Sequence, residues 1–305
     1  MPHLRVSVLI PTYNRAAFLS DAIESLLAQT RVPDEIIVVD DGSSDDTERV
    51  LGQYAGRIQA LRQSNQGPSA ARNAAFRASS GDLIAFLDSD DTLAPTSIQC
   101  RAEFLESHPH LNIVYTGAFV TNAENKPLGL FREPPLPHGM IFHELICRHA
   151  FPIHAVMLRR TCIETPFLFD PHLRSDEDYD LWTRLAAHHA VAAIDEPLCF
   201  YHLHSGTITE RMDAVTRNGI LVQERVMQMP EFAVLPMKKK SPFYTVCGTR
   251  HLRIGARREA RKYFFQAITC DPRYRRAYLM VVLSLFGRSG YEYALAMYKR
   301  IRVLV

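Results

Sequence analysis

Several things are scarce or missing in this 305-residue sequence, and each absence narrows what the chain can be. No apolar run reaches the ~18 residues that a membrane-spanning helix needs. The apolar stretch Val6–Ile10 near the amino terminus stops at Pro11, so it reads as a first β-strand rather than a signal peptide. None of the six cysteines stands in a C-x-x-C pair, which gives neither a zinc-ligand spacing nor a disulfide framework. A reducing cytoplasm is therefore the expected location. Glycine is absent from Pro11–Arg15, where a nucleotidyltransferase would carry a glycine-rich phosphate loop after its first strand. Acidic residues are scarce at one end. Residues 237–305 hold 16 of the 35 Lys and Arg but only 3 of the 33 Asp and Glu. That segregation points to two units with different partners. The acidic remainder argues against nucleic acid.

What is present is an alternation of strand and helix signals. Val6–Ile10, Glu35–Val39, Ile58–Arg62 and Leu83–Leu87 read as strands. Between them, Ala16–Gln29 has helical spacing at Ala22, Ile23, Leu26 and Leu27. A helix capped by Asp45 or Asp46 runs to Gly52, and another spans Ala70–Ala78. This order predicts an α/β fold with a mostly parallel central sheet and helices on both faces. Such sheets bind ligands at the carboxyl ends of their strands. The polar clusters Pro11–Arg15, Asp40–Ser44 and Asp88–Asp91 all fall at such ends and are expected to face one crevice. Further along, a helix over Thr96–Ser107 and strands at Ile113–Ala118, Ala155–Leu158 and Ala192–Ile194, the last ending before Pro197, are expected.

Asp88-Ser89-Asp90-Asp91 places three carboxylates within four residues. They repel one another, so a loop that holds them gains from a cation. Mg²⁺ and Mn²⁺ bind readily between carboxylates and substrate phosphates. A solvated turn that caps the next helix is the plainer reading; the place directly after a buried strand favours the metal. The turn Asp40–Asp45 suits a nucleotide base or ribose, or is an ordinary strand-to-helix turn. Gly67-Pro68 followed by Arg72 combines a helix start with a guanidinium, a setting for phosphate or for a surface salt bridge. The third acidic group is Asp176-Glu177-Asp178, with Asp180 beyond it. It stands at a helix start, where acids are expected for dipole reasons and where one could act as a general base. Trp182 is expected in the core.

Five segments in this order resemble glycosyltransferase family 2, with its GT-A fold. They are VSVLIPTYNR at Val6–Arg15, VVDDGSSDDT at Val38–Thr47, GPSAARN at Gly67–Asn73, FLDSDD at Phe86–Asp91 and DEDYDLW at Asp176–Trp182. The resemblance covers about Arg5 to Thr209. It implies a GT-A domain over 1–210, with a nucleotide-sugar half at about 1–95 and an acceptor half at about 96–210. A helical connector, 211–236, and a basic helical tail, 237–305, would follow. It further implies metal-dependent, inverting transfer of a sugar from a nucleotide diphosphate, a UDP-sugar by family weight. The acceptor would be a hydroxyl of a glycan or lipid-linked molecule, in cell-surface polysaccharide synthesis. Pro11, Thr12 and Tyr13 would line the base pocket, with Arg15 and Asp40 in the same donor-binding set. Asp41 would meet the base edge and Arg72 the base or phosphate. Asp88 and Ser89 would contact the donor, and Asp88, Asp90 and Asp91 would hold Mn²⁺ or Mg²⁺. Asp178 is the implied base, with Glu177 and Asp176 as alternatives. Similar enzymes have Y-R-x-H-x-x-S after the last strand. Here Tyr201-His202-Leu203-His204-Ser205-Gly206-Thr207 keeps His204, near diphosphate or metal, but puts His202 in place of the Arg. His154 is a further candidate near the acceptor. The competing reading is a non-catalytic sugar-nucleotide-binding or scaffold protein that works through its tail.

The tail carries a weak 34-residue repeat, with Tyr244, Ala260 and Phe264 recurring as Tyr278, Ala294 and Tyr298, and resembles a tetratricopeptide unit. Its basic pairs, among them Lys238-Lys239, Arg275-Arg276 and Lys299-Arg300, are interleaved with aromatics. An anionic membrane surface is the expected partner, with a peripheral place on the inner face of the cell membrane. A soluble appendage with a solvated basic face is the alternative.

Overall fold

In the computed structural model, residues 3–122, 126–148, 151–163, 168–204 and 212–293 are described. The β-branched run at the start forms β1 (Val6–Thr12), buried along its whole length. α1 (Ala16–Leu27) follows and buries Leu19, Ala22, Ile23 and Leu26, one face of a helix. β2 (Glu35–Asp40) lies parallel to β1 in a register that sets Thr12 beside Asp40. At the start of α2 (Thr47–Gln53), the Thr47 N–H donates to Asp45 Oδ1 at 3.1 Å, whereas the Asp46 side chain makes no capping bond. β3 (Gln59–Arg62) pairs parallel with β2 at the edge of the sheet. α3 (Pro68–Ala78) begins two residues earlier than the spacing predicts. Proline suits the first helical position, and Gly67 before it, at φ 93°, takes a left-handed turn that a side chain would strain. β4 (Leu83–Phe86) lies on the other side of β1, also parallel, with Phe86 beside Leu9. Three strands thus end side by side, each with a polar loop beyond it.

The next elements along the chain are β5 (Thr92–Leu93), α4 (Ser97–Ser107), β6 (Ile113–Thr121), β7 (Pro127–Leu130), α5 (Phe142–Leu145), β8 (Val156–Arg159), α6 (Glu177–Ala186) and β9 (Val191–His202). The strand order is β3-β2-β1-β4-β8-β6-β9-β5, with β7 beside β6. From β3 to β4 every pairing is parallel. Beyond that, β8 runs antiparallel to β4 and β6, β9 runs parallel to β6, and β5 runs antiparallel to β9.

β9 corrects one expectation. The strand does not stop before Pro197 but runs through it to His202. Proline cannot donate to a ladder, so it is tolerated where the register is irregular. The β6–β9 register shifts at Gly117, the partner of Pro197. A β-carbon on Gly117 would lie 3.1 Å from Pro197 Cα, so the glycine makes room for the proline. Trp182 is buried, as expected, beside Phe86 and Phe151 at ring-centroid distances of 6.0 and 5.7 Å. Each such aromatic pair adds about 0.5–1.5 kcal/mol beyond area burial.

The chain divides into two compact units, 1–142 with 149–207, and 143–148 with 208–305. In the second unit the helices are α7 (Met212–Gln228), α8 (Pro230–Ala233), α9 (Met237–Arg253), α10 (Arg257–Cys270) and α11 (Arg275–Leu285). Leu252, Ala260, Phe264, Met280 and Tyr291 form its buried cluster. Gly248 sits against the Phe264 ring and the Ala260 carbonyl, leaving no space for a side chain. Ala294, Tyr298, Lys299 and Arg300, the later part of the expected repeat and basic run, lie outside the described residues, as do Ser205, Gly206 and Thr207. Among the described residues, no helix is long and apolar enough to cross a membrane.

Candidate active site

The loops after β1, β2 and β4 are tied together by their own side chains. After β1, Asn14 takes a left-handed conformation, φ 51°, which asparagine tolerates better than most residues. Its N–H donates to Ser43 Oγ at 2.9 Å, and its Oδ1 accepts from the Ser44 N–H at 2.8 Å. The first and second turns are thereby joined. Thr12 is buried between them, and Tyr13 is exposed at the rim.

The two aspartates after β2 do different things. Asp40 is buried, and its Oδ1 accepts from the Ser43 N–H at 2.9 Å, which shapes the turn. Asp41 reaches the other way. Its Oδ1 accepts from Gln63 Nε2 at 2.8 Å and from the Gln66 N–H at 2.9 Å, and its Oδ2 accepts from the Gly67 N–H at 2.7 Å. Asp41 thus holds the loop that launches α3.

Arg72 is the hub of the site. Its Nη2 donates to Asp88 Oδ1 and its Nη1 to Glu177 Oε1, both at 2.5 Å, and its guanidinium lies 5.4 Å from the Phe169 ring centroid. Burial works against the Arg72 charge, but Asp88 and Glu177 outweigh it and hold the guanidinium more firmly protonated than usual. Burial, with Asp178 alongside, pushes the Glu177 carboxyl up despite Arg72. One buried cation therefore joins the acidic loop after β4 to the acidic start of α6, 105 residues away in sequence from Arg72.

The acidic loop is asymmetric. Ser89 and Asp91 are buried, while Asp88 and Asp90 keep partial exposure. Asp91 Oδ1 accepts from the His202 N–H at 2.8 Å, and Oδ2 pairs with His154 Nδ1 at 2.8 Å. Burial would raise the Asp91 carboxyl, but the His154 charge and the hydrogen bond from the His202 N–H bring it below the ordinary value. Asp90 goes the other way. Burial and the like charges of Asp91 and Asp88 raise it, against His204 and Arg15. His204 Nε2 lies 3.0 Å from Asp90 Oδ2 and Arg15 Nε 3.2 Å from the same oxygen. The antiparallel pairing of β5 with β9, Thr92 beside Phe200, brings both histidines of β9 and its extension to this loop.

These residues fit a hard divalent cation. Asp88, Asp91 and His154 offer ligand atoms within 4.8 Å of one another, and Asp90 with His204 forms a second acid–imidazole pair. Carboxylate oxygens suit such a cation, and a carboxyl raised by like-charge neighbours is one that a cation would relieve.

At the start of α6, Asp176 is buried and left-handed, φ 57°, and its carbonyl accepts from the Asp180 N–H at 3.0 Å. Aspartate, like asparagine, tolerates this region better than most residues. Asp178 is half-buried, and its Oδ1 accepts from the Tyr179 N–H at 2.7 Å. Asp180 faces Arg184 at 2.9 Å. His154 has no exposed surface, so its side chain is placed against Asp91 rather than open to an acceptor. Sequence reasoning missed this pairing and the stacking of Phe18 on His204, with centroids 4.6 Å apart. No spacing signals either contact, since each partner comes from a distant segment.

A model of the glycosyl transferase family 2 matches residues 7–163. An uncharacterized glycosyltransferase of Rickettsia felis is 33% identical over 212 residues, which make up 67% of this chain and 34% of that protein. The chain thus spans about a third of that relative's length. Among solved structures, S. aureus TarS 1-349 in complex with UDP-GlcNAc superposes with a TM-score of 0.61 at 20% identity, over 94% of this chain and 88% of that one. The mannosyltransferase PcManGT from Pyrobaculum calidifontis, in complex with GDP-Man and Mn²⁺, gives 0.62 at 16% identity, over 100% and 84%. These two likenesses establish a shared GT-A fold. With the family model covering half of its length over the strand ends that carry the acidic loops, the chain belongs to glycosyl transferase family 2.

Proposed function

We propose that the protein is a metal-dependent, inverting glycosyltransferase that moves a sugar from a UDP-sugar to a hydroxyl of a glycan or lipid-linked acceptor, in cell-surface polysaccharide synthesis. The observation that carries this reading is the Arg72 bridge. It ties Asp88, at the donor end of the sheet, to Glu177, next to the base.

The three acids at the start of α6 differ in exposure. Glu177 is buried and committed to Arg72, and Asp176 is buried in a left-handed turn. Asp178 keeps partial exposure, which supports it as the general base. Its carboxylate takes the proton of the acceptor hydroxyl as that oxygen forms a bond to the anomeric carbon. The bond from that carbon to the diphosphate oxygen breaks with its electron pair leaving on the nucleotide. General-base help of this kind contributes roughly 10²–10⁴ in rate. Pro11, Thr12 and Tyr13 line the base side of the pocket, with Asp40 and Asp41 shaping its floor. Asp88 and Ser89 face the donor, and Arg15 adds positive charge beside Asp90. Asp90, with Asp88, Asp91 and His204, would hold Mn²⁺ or Mg²⁺, which when bound neutralises charge on the departing diphosphate. TarS with UDP-GlcNAc supports the uridine donor, and PcManGT with Mn²⁺ supports the metal. The basic residues of 237–305 support an acceptor met at an anionic membrane on the cytoplasmic side.

The test is Asp178→Asn assayed with a panel of UDP-sugars and Mn²⁺. Transfer and donor hydrolysis should fall by at least a hundredfold while donor affinity in a calorimetric titration stays within a few fold. Near-normal turnover would remove Asp178 as the base.

A further inference from the structure

The second unit presents a helical face that its own core does not use. α11 buries Ala277, Met280 and Ser284, and Met280 joins the cluster around Phe264. The opposite side is apolar too. Tyr278, Leu279, Val282, Leu285 and Phe286 are 46–66% exposed. Their spacing of i, i+1, i+4, i+7 and i+8 makes one continuous face. Single exposed apolar side chains are ordinary, whereas a contiguous row marks a surface that meets something apolar.

Charge identifies the occupant. Arg273, Arg275 and Arg276 are exposed at the start of the helix, and Arg275 shares the face of Tyr278 and Leu279. Across 257–285 there are seven Lys and Arg against two Asp and Glu. A second copy of the chain would bring the same positive charge against itself, whereas an anionic lipid surface brings the opposite one. The helix, 11 residues or roughly 16 Å long, is too short to span a bilayer but suits lying in the plane of its interface. Tyrosine at such a boundary keeps its hydroxyl toward the polar side.

We propose that the outward face of α11 seats the protein on an anionic membrane, with the apolar row in the headgroup–acyl boundary and the arginines at its N-terminal end on lipid phosphates. This rests on the membrane partner read above from the basic and aromatic residues of the tail, and it names the element that docks.

The experiment is co-sedimentation of the full chain with vesicles of phosphatidylcholine and phosphatidylglycerol, against pure phosphatidylcholine vesicles. The wild-type chain should bind the anionic vesicles and not the neutral ones. Leu279→Glu/Val282→Glu/Leu285→Glu should lose binding at least tenfold. Arg275→Gln/Arg276→Gln should lose roughly fivefold per arginine. Both variants should keep the wild-type melting temperature and donor hydrolysis, since every changed side chain is exposed. The proposal is overturned if the wild-type chain ignores anionic vesicles, or if the triple variant binds as the wild type does. It is also overturned if sedimentation velocity shows a dimer that the triple variant abolishes. Vesicle binding reads the docking face and donor hydrolysis reads the transferase, so either can fail without the other.

Discussion

Arg72 holds two carboxylates from distant parts of the chain, and its side chain is only 5% exposed. Removing one partner from such a buried set leaves uncompensated charge, which costs about 3–5 kcal/mol. Arg72→Ala should therefore lower the unfolding free energy obtained from urea titration by that order, and adding Glu177→Gln should restore part of the loss. A single variant as stable as the wild type would show that the bridge is not what holds Asp88 to α6. Glu35 offers a second test. Burial alone would raise its carboxyl, but hydrogen bonds from Ser7 and Ser80, with the Arg5 charge, bring it down to about 2 from 4.5. A carboxyl depressed on folding stabilises the protein above its unfolded value, and that contribution is lost as pH falls through the folded one. Glu35→Gln should thus melt below the wild type at neutral pH, and the gap should close as pH drops from about 4.5 toward 2. A gap that is constant across that window would contradict the assignment. At this scale the acidic residues themselves were legible in the sequence. Their partners were not. Nothing near Asp91 in sequence announces His154, and nothing near Arg72 announces Glu177, because these pairings exist only once β4, β8 and α6 are packed.

Two glycines test how elements are positioned. Gly117 stands where β6 passes Pro197 of β9, and a β-carbon there would crowd Pro197 Cα, Pro197 N and the Glu196 carbonyl, all within 3.3 Å. Those are backbone atoms, so the strands must separate. Gly117→Val should cost about 1–3 kcal/mol and weaken donor binding as well, since the far end of β9 carries His202 and the chain that leads to His204. Gly52 is the contrast. It lies in α2 with nothing near its missing β-carbon, so Gly52→Ala should stabilise by about 0.5–1 kcal/mol. Denaturant titration of the two variants checks both signs. The parallel strands were legible because buried parallel strands read as unbroken apolar runs. β9 was misread at Pro197. A proline is a local stop signal, and only its neighbour Gly117, 80 residues earlier, makes the continuation possible.

For the whole chain, ligand binding and stability are linked. If a metal bridges the acidic loop and a nucleotide diphosphate, each ligand should raise the melting temperature more in the presence of the other. A UDP-sugar with Mn²⁺ should shift it upward by several degrees, and EDTA should abolish most of the shift. An equal shift with and without metal would remove the metal from donor binding. The alternation of strands and helices, the family, and the segregation of charge were all determined by the sequence itself, because periodicity, motif order and composition are local or additive properties. The tertiary structure decided which group each carboxylate meets and how much surface it keeps. Asp41 holds the α3 loop, Asp91 meets His154 and β9, Glu177 and Asp88 share Arg72, and Asp90 meets His204 and Arg15, while Asp88, Asp90 and Asp178 keep partial exposure. That sorting depends on which segments meet across the sheet, and an aspartate's neighbours in sequence carry no record of its neighbours in space.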